Sequence, residues 1–207
     1  MPRMINKLHW MSLALLLLAN NAVAIPIPGL ANTGVNGIGV ADSNYTLTSS
    51  PSGGTAIGIT SIPAWVDAPT GSNWIGVTNG NVTDPIGDYV YQLTFDLTGV
   101  SPATFSISGA WATDNNASIL LNGVDTGIAK GIIGFTSLSS FSIGSGFISG
   151  INTLEFKVTN ISGGGLNPTG LLVTSLTGSV PAPAVVFLLT TGLIGIGAAT
   201  KIRNKGR

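Results

Sequence analysis

Apolar and polar residues alternate along several short stretches of the chain. The clearest is 89–97, where Tyr89, Tyr91, Leu93, Phe95 and Leu97 fall on one side and Gln92, Thr94 and Asp96 on the other, with Val90 the one exception. A period of two over such a run predicts a half-buried strand. Residues 104–112 repeat the pattern, with Phe105, Ile107 and Trp111 in phase. Residues 118–121 run into Asn122-Gly123, a hairpin turn because both positions accept positive φ. Phe141 and Ile143 start a further short strand, Leu154, Phe156 and Val158 alternate with Glu155 and Lys157, and residues 171–177 close the series. Earlier, residues 44–48 and 55–59 read as less regular strands separated by Ser-Pro-Ser-Gly-Gly. No helical periodicity is sustained between residues 25 and 178. Short strands at turn-punctuated spacing predict an all-β fold, an antiparallel jelly-roll-like β-sandwich. No repeat or linker divides it. Residues 25–31 are expected as an extended lead-in and 179–183 as a tether.

The two ends break this pattern. Arg3 and Lys7 precede an apolar stretch at 11–19, and Ala22-Val23-Ala24 follows with small residues at Ala22 and Ala24. This is the layout of a secretory signal, and it predicts cleavage after Ala24. At the other end comes Val180-Pro181-Ala182-Pro183-Ala184, then an uncharged, largely apolar stretch at 185–200 holding Gly192, Gly195 and Gly197, then Lys201, Arg203, Lys205 and Arg207. The apolar span is close to the lower limit, about 17 residues, for a transmembrane helix. Pro181 and Pro183 mark where that helix begins, and the basic cluster holds the C-terminus on the cytoplasmic side. The expected organisation is a signal helix at 1–24, an extracytoplasmic sandwich at 25–179 and a membrane-anchored tail at 180–207.

The tail resembles the PEP-CTERM sorting signal, in which a Pro-x-Pro motif, a short Gly-containing transmembrane helix and a basic end occur in that order. Ala182 stands where the name-giving form has Glu, so the tail resembles a variant class with an apolar residue in that slot. The resemblance implies processing by an exosortase-type enzyme, an inner-membrane intermediate, and a final place at the outer cell surface or in the extracellular matrix of a Gram-negative bacterium that makes exopolysaccharide. An ordinary single-pass anchor is the alternative. The body is similar to a recurrent domain of exported PEP-CTERM proteins through Ala31-Asn32-Thr33-Gly34-Val35, Asn44-Tyr45-Thr46-Leu47, Trp74-Ile75-Gly76, Gly109-Ala110-Trp111-Ala112-Thr113-Asp114-Asn115, Leu121-Asn122-Gly123, Gly146-Phe147, Gly150-Ile151-Asn152-Thr153-Leu154 and Asn167-Pro168-Thr169-Gly170-Leu171. The run from Trp111 to Gly123 is also similar to an element of galactose-binding-like sandwiches.

Composition narrows what such a body can do. The chain has no Cys, its only His is His9, and six of its eight basic residues lie in the two end segments. The body keeps Lys130 and Lys157 against eight carboxylates, a net charge of −6. That balance excludes a nucleic-acid footprint. The missing His and Cys exclude a His-based triad or an imidazole or thiolate metal site. Asp67, Asp84, Asp88 and Asp114 are the carboxylates a glycosidase would draw on, but Asp in Gly-, Asn- and Pro-rich stretches is ordinary turn chemistry. No enzyme, and no catalytic residue or organic cofactor, is expected. Calcium takes carboxylate and amide oxygens, which makes Asp84, Asp88, Asp114, Asn115 and Asn116 its candidate ligands; solvated turns are the alternative. Sugar binding needs an aromatic platform with a few placed polar groups. Trp65 and Trp74, in a stretch that reads as loop, with Asp114 and Asn115, are the candidates; a core role for both indoles competes. The functional expectation is a structural or adhesive protein of a biofilm or floc, with exopolysaccharide binding as the alternative.

Overall fold

The computed structural model describes residues 22–80, 83–161 and 167–181. The strands are β1 (Ala22–Ile25), β2 (Tyr45–Ser49), β3 (Ile57–Ile59), β4 (Trp74–Gly76), β5 (Gly87–Asp96), β6 (Ser106–Asp114), β7 (Asn116–Leu121), β8 (Val124–Lys130), β9 (Ser139–Ile143), β10 (Ile151–Asn160) and β11 (Gly170–Pro181). A 3-10 turn, Gly134–Thr136, precedes β9. The strands form two antiparallel sheets. One has the order β3-β4-β11-β6-β9, with β1 also paired to β11, and the other has the order β2-β5-β10-β7-β8. The described residues therefore form an all-β, two-sheet antiparallel sandwich. Among the described residues no helix is long and apolar enough to cross a membrane. The expected signal and transmembrane helices, with Ala182, Pro183, Ala184, Lys201, Arg203, Lys205 and Arg207, lie outside the described residues.

Alternation builds the interior. Tyr89, Tyr91, Leu93, Phe95 and Leu97 are all at most 1% exposed. β10 lies against β5 in unbroken register from Ile151↔Asp96 to Asn160↔Gly87, so Leu154, Phe156 and Val158 meet the β5 residues on the same inner face. Phe105, Ile107 and Trp111 come from the opposite sheet and are equally buried. Rings interlock across the gap: Trp111 lies 5.8 Å from Phe156, and Phe141 stands edge-on to both. Each large apolar side chain taken from water stabilises by about 1.5–3 kcal/mol. A dozen of them closing one core explains how the fold does without disulfides.

Two elements depart from the expected pattern. Residues 74–76 form a fully buried strand, not a loop. Phe141 and Ile143 end their strand instead of starting it. The first difference has a structural cause. A second, smaller core sits on the far side of the β3-β4-β11-β6-β9 sheet, where Ile59, Trp65, Trp74, Ala112 and Leu172 pack together under Phe135 and Leu138. Strands covered on both faces lose the alternation of a half-buried strand. Leu171, Leu172 and Val173 are all fully buried in succession.

Strand β11 continues through Val180 and Pro181, which pair with Val23 and Ala22. The first two residues of the expected sorting motif are thus strand residues. The small-residue pair of the expected cleavage site, Ala22 and Ala24, lies in the facing strand.

Candidate functional site

The hairpin and the loop that follows β9 build a cleft of about 570 Å³ at one end of the sandwich. Asn122 (φ 53°) and Gly123 (φ 76°) both take positive φ. This closes β7 onto β8 in the tight turn that Asn-Gly favours. The turn carries Val124, Asp125, Thr126 and Ile128 along one wall; Ser142, Ser145 and Ile148 supply the other, and Leu121 and Ile143 lie beneath. Val124 is 69% exposed and Ile148 53% exposed. The rims are therefore aliphatic surfaces open to solvent.

The second wall, residues 144–150, is a loop held in one position by its own residues. Phe147 turns inward and meets Phe105 edge-on at 4.9 Å and Phe95 at 6.3 Å. Asn152 is 1% exposed. Its Nδ2 donates to the carbonyls of Ile148 (2.8 Å) and Gly150 (2.9 Å), and its Oδ1 accepts from Ile148 N (2.9 Å) and Asn122 Nδ2 (3.0 Å). Asn122 Nδ2 also donates to Gly146 O, and Asn122 Oδ1 accepts from Thr153 N. Two asparagines thus tie the hairpin turn to the facing loop. A buried amide with its donors and acceptors met is rigid and costly to disturb.

The polar groups facing the cleft divide into used and open ones. Thr126 Oγ1 donates to Ile119 O at 2.8 Å. Asp125 Oδ1 accepts from Gly127 N at 2.8 Å, an Asx turn, which leaves Oδ2 directed to solvent partners. Ser142 and Ser145 are exposed hydroxyls. A groove with aliphatic walls, a carboxylate oxygen and free hydroxyls suits a ligand that presents both C–H faces and hydroxyl groups.

The residues singled out from sequence lie elsewhere. Trp65 and Trp74 are 5% and 0% exposed and pack on one another at 4.3 Å between centroids. Trp74 Nε1 donates to Val66 O, and Trp65 Nε1 donates to Asp114 Oδ2, each at 2.9 Å. The expected sugar platform is therefore corrected: neither indole offers a face to a ligand, because the facing loop and the sheet cover both. The structure does bring Trp65, Trp74, Asp114 and Asn115 together, as an internal cluster. Burial raises the Asp114 carboxyl to about 6, opposed by the Trp65 hydrogen bond. A shallower depression near Thr60, Ser61, Asp67 and Asn73 lies over Trp74 without uncovering its ring.

In the described residues the oxygen-rich loops are engaged in contacts of their own. Asp84 is buried and its Oδ2 accepts from Thr169 N at 3.0 Å. Asp88 is exposed, bonded by Thr159 Oγ1 at 2.6 Å and paired with Lys157 at 3.2 Å. Asn115 Nδ2 donates to Asp114 Oδ1, and Asn115 Oδ1 accepts from Ile161 N. Asn116 opens β7 and is half-buried. Among the described residues no group of three or more His, Cys, Asp or Glu converges on a metal position. These oxygens fasten loops to one another.

No family model matches the chain. No curated protein matches it in sequence. Solved structures with a similar sandwich include CBM35 from Paenibacillus barcinonensis, at 19% identity over 66% of this chain and 94% of that one, with a TM-score of 0.38. A family 35 carbohydrate binding module from Clostridium thermocellum matches at 15% identity, over 61% and 88%, TM-score 0.36. The CBM36-1 domain of a multidomain xylanase from the hindgut metagenome of Trinervitermes trinervoides matches at 14%, over 68% and 99%, TM-score 0.36. Likeness at this level carries no functional argument; the sandwich stands on its own strand order.

Proposed function

We propose that this chain is a non-catalytic carbohydrate-binding protein. Its jelly-roll-type sandwich holds an oligosaccharide in the cleft between the Asn122-Gly123 hairpin and residues 144–150. The observation that carries this reading is the cleft itself. It combines aliphatic walls (Val124, Ile128, Ile148), a rim of open polar groups (Asp125, Ser142, Ser145) and a loop clamped by Asn152. Sugars offer C–H patches and hydroxyls in the same proportions, and a rigid site loses little entropy on binding them. The likeness to family 35 and 36 modules is not needed for this reading.

The sequence at the two ends supports a setting for that activity. A signal peptide and a PEP-CTERM-like tail would deliver the sandwich outside the inner membrane through an exosortase-type enzyme. There, exopolysaccharide is the available ligand, and cohesion of a biofilm or floc is the outcome. Titration calorimetry of the purified protein against a panel of neutral and acidic glycans tests the binding. Saturable heat with at least one glycan, lost when Ser145→Trp fills the cleft, is the expected result; no saturable heat across the panel rejects the proposal.

A further inference from the structure

The charges around the cleft point to a selectivity that rests on the glycan-binding reading. We infer that the protein takes neutral glycans and rejects uronic-acid-containing ones. Residues 25–179 hold eight carboxylates against two lysines, and neither lysine lines the cleft. Lys157 Nζ lies 3.2 Å from Asp88 Oδ2. Lys130 Nζ donates to Gly134 O (3.3 Å), Ser137 O (2.9 Å) and Ser139 Oγ (3.0 Å). An ammonium has three donors, so these three acceptors use all of them. The group also lies 6.0 Å from the centre of the Trp111 ring, which holds it against the sheet.

The cleft itself has one charged side chain, and it is negative. Asp125 fixes Gly127 N through Oδ1, so the carboxylate stays at the rim in the geometry seen here. A sugar hydroxyl donates to Asp125 Oδ2 and exchanges hydrogen bonds with Ser142 and Ser145. A uronate carboxylate in the same place loses hydration, finds no cation in the cleft lining, and faces Asp125 within a body of net charge −6. An uncompensated like charge in a partly desolvated site opposes binding.

The test uses the full-length protein in a sugar-free zwitterionic detergent. It is titrated with a glucuronic-acid-containing polysaccharide and with the same polymer after carboxyl reduction, once in chelator and once in millimolar calcium. The reduced polymer is expected to bind about tenfold tighter or more at low salt. That gap should narrow as added salt screens the charges, and again in Asp125→Asn, which keeps the Oδ1 acceptor for Gly127 N. Equal or tighter binding of the carboxylated polymer in either buffer overturns the selectivity and leaves glycan binding standing. Absence of saturable heat with both polymers, and with neutral oligosaccharides, removes the binding reading itself.

Discussion

Tyr91 is fully buried, and among the described residues its hydroxyl is the buried side-chain polar atom with no hydrogen-bond partner. Burial, with Asp84 nearby, pushes its pKa far up, so the phenol stays neutral. An unmet buried hydroxyl costs free energy that a phenyl ring does not. Tyr91→Phe is expected to stabilise the fold by about 1 kcal/mol, read as a higher midpoint in urea; a loss of stability shows that the hydroxyl is satisfied in solution. Asp114 makes a second prediction. A carboxyl raised to about 6 by burial binds its proton more tightly folded than unfolded. Its contribution to stability is fully present below the unfolded value, about 4, and is lost as pH rises through about 6. Asp88, held low chiefly by the Thr159 hydrogen bond, and Asp96, held low by Thr98, act in the opposite sense below the ordinary carboxylate range. Subtracting the stability of Asp114→Asn from that of the parent isolates the first effect. The difference is expected to fall between about pH 4 and 7, and a flat difference contradicts the burial of this carboxylate.

At the scale of elements, the loop at 144–150 decides whether the cleft exists. Phe147 anchors it in the core, and Phe147→Ala is expected to cost about 3–5 kcal/mol in chemical denaturation. Asn152→Ala removes the side-chain partner of Ile148 N and Ile148 O and one of the two donors to Gly150 O. The expected cost is about 1–3 kcal/mol, with faster hydrogen exchange confined to residues 144–151 and the Asn122 turn. Exchange unchanged there shows that the clamp does not hold the wall. Gly170 opens β11 where an added Cβ would stand 2.9 Å from Trp65 Cη2, so Gly170→Ala is expected to disturb the small core and shift Trp fluorescence. The legibility of elements follows the same physics. β5, β7 and β10 were readable because the period of two survives along them, and β6 because only its last four residues are buried without a break. β4 and the outer core were not, because Leu171-Leu172-Val173 and Trp74-Ile75-Gly76 are buried on both sides, and a continuous apolar run does not say which face meets what.

Across the whole molecule, sequence signals and site geometry separate. Trp65 and Trp74 were readable either as sugar contacts or as core, and the structure makes both internal. The cleft is built from Val124, Asp125, Ser142, Ser145 and Ile148, residue types that are inconspicuous in any loop. Their one visible trace was Asn122-Gly123, legible as a turn but silent about the wall it faces. Placement of that wall depends on Phe147 and Asn152, contacts that the linear pattern does not encode. The net charge was readable directly, and the structure adds that neither lysine lines the cleft. The proposed place for a neutral glycan is the cleft between the hairpin and the clamped loop. Hydrogen exchange read by mass spectrometry, with and without saturating neutral oligosaccharide, tests it most directly. Protection gathered at residues 121–128 and 142–151 is the predicted result; protection gathered around Trp65 and Trp74, or no change anywhere, contradicts it.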